Sequence, residues 1–249
     1  MTSMTRNAYI TTSWDDGHVL DFRIAGMLAK HGLTGTFYIP RDASTGVMSE
    51  SAVREISQTF EIGAHTMSHV FLDTVGDEVA EREIRESRTW VEQVTGKRCI
   101  MFCPPGGKFA SRDLSHVQNA GFGGLRSVEL LSIDPPRRHD QLLILPTTLQ
   151  AHPHSFAAYA RNSIKRRAMA NLWLYVMHGR NSGWDELAKS LLNVVRRGGG
   201  VFHLWGHSWE LEQTAQWQRL DAVLRLLGEL RGEMPCVTNG ELLRMFSIP

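Results

Sequence analysis

Two hydrophobic periods alternate along this chain. Tyr9-Ile10-Thr11-Thr12-Ser13 is β-rich and runs into Asp15-Asp16-Gly17. Beyond the glycine, Leu20, Ile24 and Leu28 recur every fourth residue, which predicts a helix with one apolar face, closed by His31-Gly32. Residues 34–39 are again β-rich and stop at Pro40, so the opening of the chain reads as strand–helix–strand, the seed of a parallel sheet. A short helix is expected over 51–59 and a strand over 60–64. A long helix follows over 77–95, with Ala80, Ile84, Val91 and Val94 on one face and Gly96 past its end. Residues 99–102 have the apolar run of a buried strand, and Ser111 is placed to open a helix that buries Leu114 and Val117 and ends at Gly121.

Residues 127–154 resist a periodic reading, because Asp134-Pro135-Pro136 and Pro146 cut them into loops and short strands. Helices are expected over 155–172 and 184–197, then a strand over 201–205 after three glycines. A further helix carries Leu220, Val223, Leu224, Leu227 and Leu230. Residues 236–238 suggest a closing strand before a last helix over 241–246. Strands alternating with helices define an α/β class, and the residues able to do chemistry fall at the carboxyl ends of strands, where parallel sheets form their sites.

Composition narrows this picture. No Pro/Ser-rich linker divides the 249 residues, which reads as one domain over 1–249. A formal net charge of +1 gives no global attraction to nucleic acid. Cys99, Cys103 and Cys236 form no metal-binding pair and suit a reducing compartment. The polar stretch Met1 to Asn7 and the lack of a long apolar run suggest a cytoplasmic protein with no stable membrane insertion.

The adjacent carboxylates of Asp15 and Asp16 point different ways at a strand end, so one can hold a metal while the other handles a proton. His65 and His69 are four apart, a spacing that on a helix puts both on one face. With Asp16 as third ligand they make a His₂Asp set with an open position, a catalytic rather than a structural arrangement.

Ser13-Trp14-Asp15-Asp16-Gly17 and His65-Thr66-Met67-Ser68-His69 together resemble the first two motifs, T/S-F/W-D-D-G and H-S/T-x-x-H, of the polysaccharide deacetylases of the NodB-homology class, carbohydrate esterase family 4. The resemblance covers most of the chain. It implies a distorted (β/α) barrel and metal-dependent removal of N-acyl groups from amino sugars. Asp15 would be the general base, and Asp16, His65 and His69 would ligate a divalent ion, zinc foremost. Cys103-Pro104-Pro105-Gly106-Gly107 matches the third motif, R-x-P-x-G, only in part. Gly106 would supply an oxyanion N–H, but Cys103 stands where many members carry the arginine that orients the base. Arg126, Arg137 and Arg138 are candidate substitutes. Near the final L-x-H motif, His207 in His207-Ser208-Trp209-Glu210 is the expected general acid, His203 a buried strand residue, and Asp134 a candidate to tune the acid.

Several features stay open. Trp205 and Trp209 suit either a sugar-stacking wall or the core. The basic run Arg161 to Arg167 suits a solvated helix face or a phosphate contact. His152, His154 and the stretch Met177 to Arg180 are undecided. The expected activity is deacylation of a small or carrier-linked N-acylated amino sugar; oligomeric state is not legible. Two rivals remain: a carbohydrate-binding homologue that keeps the metal but is catalytically weak, favoured by Cys103, and a non-haem iron oxygenase, disfavoured by the strand–helix alternation.

Overall fold

The computed structural model describes residues 7–179 and 183–247, so Arg180 and the residues before Asn7 lie outside the described residues. Among them, nine strands form one sheet, curled into a half-barrel. In chain order the strands are β1 (Ala8–Asp15), β2 (Thr36–Ile39), β3 (Glu61–Ala64), β4 (Met101–Phe102), β5 (Gly124–Arg126), β6 (Arg137–His139), β7 (Leu142–Leu145), β8 (Leu149–Gln150) and β9 (Gly200–His207). Their spatial order is β6-β7-β5-β4-β3-β2-β1-β9-β8, parallel throughout except for the β6–β7 hairpin. The expected α/β class and distorted barrel are what the chain forms; the ends at β6 and β8 do not meet.

Outside the sheet lie α1 (Asp21–Lys30), α2 (Glu50–Ser57), α3 (Asp77–Thr95), α4 (Ser111–Asn119), α5 (Phe156–Lys165), α6 (Met169–His178), α7 (Trp184–Gly198), α8 (Ser208–Gln213), α9 (Trp217–Leu230) and α10 (Asn239–Ser247). β1 and β9 lie side by side, seventh and eighth in this order, and are buried nearly end to end, because parallel strands covered by helices on the outside and side chains within have no wet face. Their register aligns Asp15 with His207. One turn of chain geometry therefore sets two of the expected catalytic groups side by side.

Three expectations need correction. The helix expected over 155–172 is two helices, α5 and α6, broken where Arg167 adopts φ +54° and Ala168 N–H bonds back to Ser163 O at 2.9 Å. No glycine or proline marks that break. Residues 236–238 form no strand, only an isolated bridge between Cys236 and Ile10. Strand β4 keeps only two of the four residues expected, since Cys99 and Ile100 are drawn off by contacts to α3 and the 123–124 turn.

Candidate active site

Asp15 ends β1, and Asp16 follows it with φ +79°, a backbone conformation unfavourable for a side chain with a Cβ. The twist separates the two carboxylates. Both are 3% exposed, so neither can spend its charge on water. Asp16 faces His69 and His65, with Nε2 atoms 3.0 and 3.4 Å from its Oδ1.

The two histidines do not share a helix face, as their spacing suggested. They sit in an irregular loop after β3 in which Thr66 and His69 have φ +62° and +54°. The buried carboxylate of Glu83, on α3, holds this loop by accepting the N–H groups of Met67 and Ser68 and the Ser68 hydroxyl at 2.8–2.9 Å. His65 Nδ1–H donates to Cys103 O at 2.6 Å, which fixes the tautomer and leaves the Nε2 lone pair aimed at Asp16.

This set fits a divalent cation. One donor atom from each of Asp16, His65 and His69 lies within 4.8 Å of the others. Asp16 Oδ1 is buried with no properly angled hydrogen bond, although two ring nitrogens converge on it. Asp16 Oδ2 instead accepts Trp209 Nε1–H at 2.9 Å, an outer contact that orients a ligand. Burial alone would raise the Asp16 carboxyl, but the His65 and His69 rings, with His207 beyond, hold it far below the usual carboxylate range. The anionic, two-imidazole donor set suits zinc-like ions.

Asp15 has a different partner. The fully buried Arg126 guanidinium, at the end of β5, contacts both Asp15 oxygens through Nη2. Burial would lower its pKa, but Asp15 holds Arg126 firmly protonated. The ring centroids of Trp205 and Tyr38 lie 4.7 and 5.2 Å from its Cζ. Cys103, where a motif arginine was expected, is a buried neutral thiol 4.0 Å from Asp15 Oδ2, its pKa raised by burial. Of the three candidate substitutes, Arg126 takes the place. Arg137 pairs with Glu129, and Arg138 lies on the exposed β6 strand.

His207 Nε2 is 4.0 Å from Asp15 Oδ2, and its Nδ1 bonds Glu210 Oε2 at 2.6 Å. Burial opposes protonation of His207, but the Glu210 hydrogen bond and the charges of Asp16 and Asp15 raise its pKa to about 9. The expected tuning carboxylate, Asp134, is not in the site: it lies by Asn7 and Gly200 at the other end of the sheet, lining a cavity of about 600 Å³. Glu210 stands in its stead, three residues after His207, a spacing visible in the sequence. Glu210 also accepts Gln150 Nε2–H at 2.7 Å, and Gln150 Oε1 accepts from His154 Nε2 at 2.8 Å. Burial and the neighbouring His152 lower the His154 pKa to about 4, so it is a neutral donor. His203 is buried as expected, bonded to Pro146 O and Ser13 Oγ, with burial lowering its pKa to about 3.

Gly106 completes the group. It has φ +58° in the turn after Cys103, its N–H has no partner among the described residues, and it lines a cavity of about 200 Å³ with Asp15, Trp205 and His207. That cavity is walled on its far side by Val128, Leu130 and two α5 residues, Ala158 and Asn162. Trp205 thus serves as a wall, and Trp209 as a hydrogen-bond donor. The site therefore holds a cation cradle, a buried carboxylate fixed by a cation, a protonated imidazole and a free backbone donor around one space.

Residues 3–124 match the family described as polysaccharide deacetylase. No curated protein matches the chain. The fold is similar to a Mycobacterium smegmatis protein assigned to the polysaccharide deacetylases, with TM-score 0.71 and 14% identity over 98% of this chain and 92% of that one. It is also similar to a chitin deacetylase of the fungal pathogen Colletotrichum lindemuthianum, with TM-score 0.60 and 14% identity over 96% and 88%. A Bacillus anthracis pseudoenzyme of the CE4 family matches with TM-score 0.58 and 15% identity over 95% of this chain and 66% of that one.

Proposed function

Because the chain belongs to the polysaccharide deacetylase family, we propose that it is a divalent-metal-dependent amide hydrolase removing an acetyl or formyl group from an N-acylated amino sugar. The observation that carries the reading is the convergence of Asp15, Gly106 and His207 on one cavity beside the Asp16/His65/His69 cradle. An ion held there, zinc by preference, supplies Lewis-acid polarisation and makes water acidic enough to be deprotonated near neutral pH.

The chain's own residues do the rest. Asp15 takes a proton from the attacking water, and the Arg126 guanidinium, in contact with both its oxygens, fixes the direction of its lone pairs. The Gly106 N–H faces the charge that develops on the acyl oxygen. His207 gives its proton to the departing amine nitrogen, and Glu210 stabilises the imidazolium before that transfer. Microscopic balance is kept: one water enters, the amide C–N bond breaks, and the products are a carboxylic acid and an amine.

The weak-catalyst alternative rested on Cys103, and it loses its main argument because Arg126 supplies the guanidinium from another strand. The oxygenase alternative calls for a jelly roll, and this sheet is parallel. A cytoplasmic setting remains part of the proposal, supported by three free cysteines, two of them buried. The test is to measure metal per chain in wild type and His65→Ala, then acetate and formate release from small N-acyl amino sugars. A stoichiometric metal lost in the variant, with acyl release that follows the metal, is the expected result. Absence of metal after reconstitution would remove the reading.

A further inference from the structure

Helix α6 is built inside out. Its buried positions are Asn171 and Tyr175, and Asn171 Nδ2–H donates to Glu129 Oε1 and Leu130 O, both at 3.1 Å. Its outer face carries Met169, Trp173, Val176 and Met177, at 55, 63, 38 and 59% exposure. These positions fall at i, i+4, i+7 and i+8, a continuous apolar stripe in water. Helix α5 adds Phe156 and Ile164, 53 and 64% exposed. A globular helix normally buries such residues and exposes its asparagine, so a stripe of this kind marks a surface that is covered in use.

Charge identifies the cover. Residues 141–184 contain no aspartate or glutamate, while Arg161, Lys165 and Arg167 are exposed and have no carboxylate partner among the described residues. A second copy docked symmetrically would set these cations against their own images. An anionic bilayer accepts both components, with aromatic and apolar side chains entering the headgroup–acyl boundary and cations resting among phosphates. Among the described residues no helix is long and apolar enough to cross a membrane, and the stripe lies along the outer face of α6, which suits contact along the surface.

We infer that the α5–α6 hairpin is a peripheral docking surface for anionic lipid bilayers. The hairpin is tied to the site: Ala158 and Asn162 on α5 line the cavity, and Arg166 donates to Gly107 O, beside Gly106, at 2.7 Å. Resting on the proposed deacylation, this placement selects as substrate class an N-acyl amino sugar carried on a lipid, presented at the surface on which the hairpin lies.

The test is co-sedimentation of the full chain with vesicles of phosphatidylcholine alone or mixed with roughly one quarter phosphatidylglycerol. Wild type is expected to bind the mixed vesicles, to release with salt, and to bind the neutral ones weakly. Arg161→Gln/Lys165→Gln should weaken binding roughly thirtyfold, and Trp173→Glu/Met177→Glu should abolish it. No wild-type binding, or binding unaltered in both variants, overturns the inference. So does a concentration-dependent dimer in sedimentation equilibrium that Trp173→Glu/Met177→Glu disperses. Acyl release from a soluble N-acyl amino sugar, measured on the same samples, is expected unchanged in both variants. Failure to bind vesicles with intact release rejects the surface alone, whereas vesicle binding without any release rejects the reaction alone.

Discussion

Arg126 at the end of β5 and Asp15 at the end of β1 form a fully buried ion pair although 111 residues separate them. In this chain the guanidinium that holds Asp15 enters from one strand further along than the partly matched third motif, and Cys103 packs into a buried apolar cluster. Removing one member of such a pair leaves an uncompensated buried charge, which costs about 3–5 kcal/mol of stability. Arg126→Met is expected to show that loss in chemical denaturation and to lower kcat with metal content retained. Asp15→Asn/Arg126→Met should recover much of the stability, because neither charge is then stranded. A double variant no more stable than Arg126→Met would mean the two residues do not act as a pair.

The proposed reaction gives the neighbours Asp15 and Asp16 separable duties. Asp15→Asn should bind about one ion per chain, like wild type, yet lose turnover by about 10²-fold or more. His65→Ala should lose the ion. Since an ion that binds only the folded chain stabilises it by mass action, the apparent Tm of wild type should rise on adding zinc and fall on chelation, and that of His65→Ala should do neither. Elemental analysis beside thermal scans separates the outcomes, and zinc lost from Asp15→Asn would place that carboxylate in the cradle.

With His207 as the proposed acid, Glu210 is predicted to set the alkaline limit of turnover. Burial pulls the His207 pKa down, the hydrogen bond to Glu210 and the charges of Asp16 and Asp15 push it up, and the result is about 9. An ion on Asp16 offsets that carboxylate's attraction, which leaves Glu210 as the main support. A group that must donate a proton works below its pKa, so kcat should fall as pH rises towards about 9. Glu210→Gln keeps the shape and removes the charge, and should move this limb down towards about 6.5. Stability follows the same sign: a raised histidine stabilises the fold fully below about 6.5 and the contribution is lost as pH rises through the folded value. Denaturation midpoints of the metal-free protein should therefore decline across that window, and less so in Glu210→Gln. An alkaline limb unmoved by the substitution would exclude Glu210 as the partner.

Much of this was legible because it is local. The strand ending in Asp15-Asp16-Gly17, the loop delivering His65 and His69, and the turn at Gly106 are each written in consecutive residues. The histidine pair was legible for the wrong reason: helical spacing suggested proximity, but two positive-φ residues and the Glu83 carboxylate create it. Glu210 could have been chosen from its position three residues after His207. Arg126 could only be one of three candidates, since sheet order β3-β4-β5 decides which arginine reaches Asp15. The break between α5 and α6 left no mark because Arg167 adopts a left-handed conformation that sequence pattern assigns to glycine or asparagine.

The turn that carries Gly106, the proposed oxyanion donor, is predicted to respond unequally to substitution, because its two glycines are not equivalent. Both have positive φ, +58° at Gly106 and +62° at Gly107, so an alanine at either costs about 1–2 kcal/mol in backbone strain. A Cβ on Gly106 would lie 3.2 Å from the Phe71 ring edge, and Phe71 is 37% exposed and free to yield. A Cβ on Gly107 would fall 2.1 Å from Val128 Cγ2 and 2.9 Å from Arg166 Nη2, so the turn itself would have to move away from α5 and the 128–130 loop. Gly106→Ala is expected to lose about the strain alone and to lower kcat moderately, by tilting an N–H that remains in place. Gly107→Ala adds about 1–3 kcal/mol of overpacking and should cost more in both stability and kcat, because it displaces that donor. Urea midpoints and kcat for the two variants decide the matter. Equal losses would mean the turn is soft, and that Gly106 N–H is not held in position by the packing of Gly107 against Val128 and Arg166.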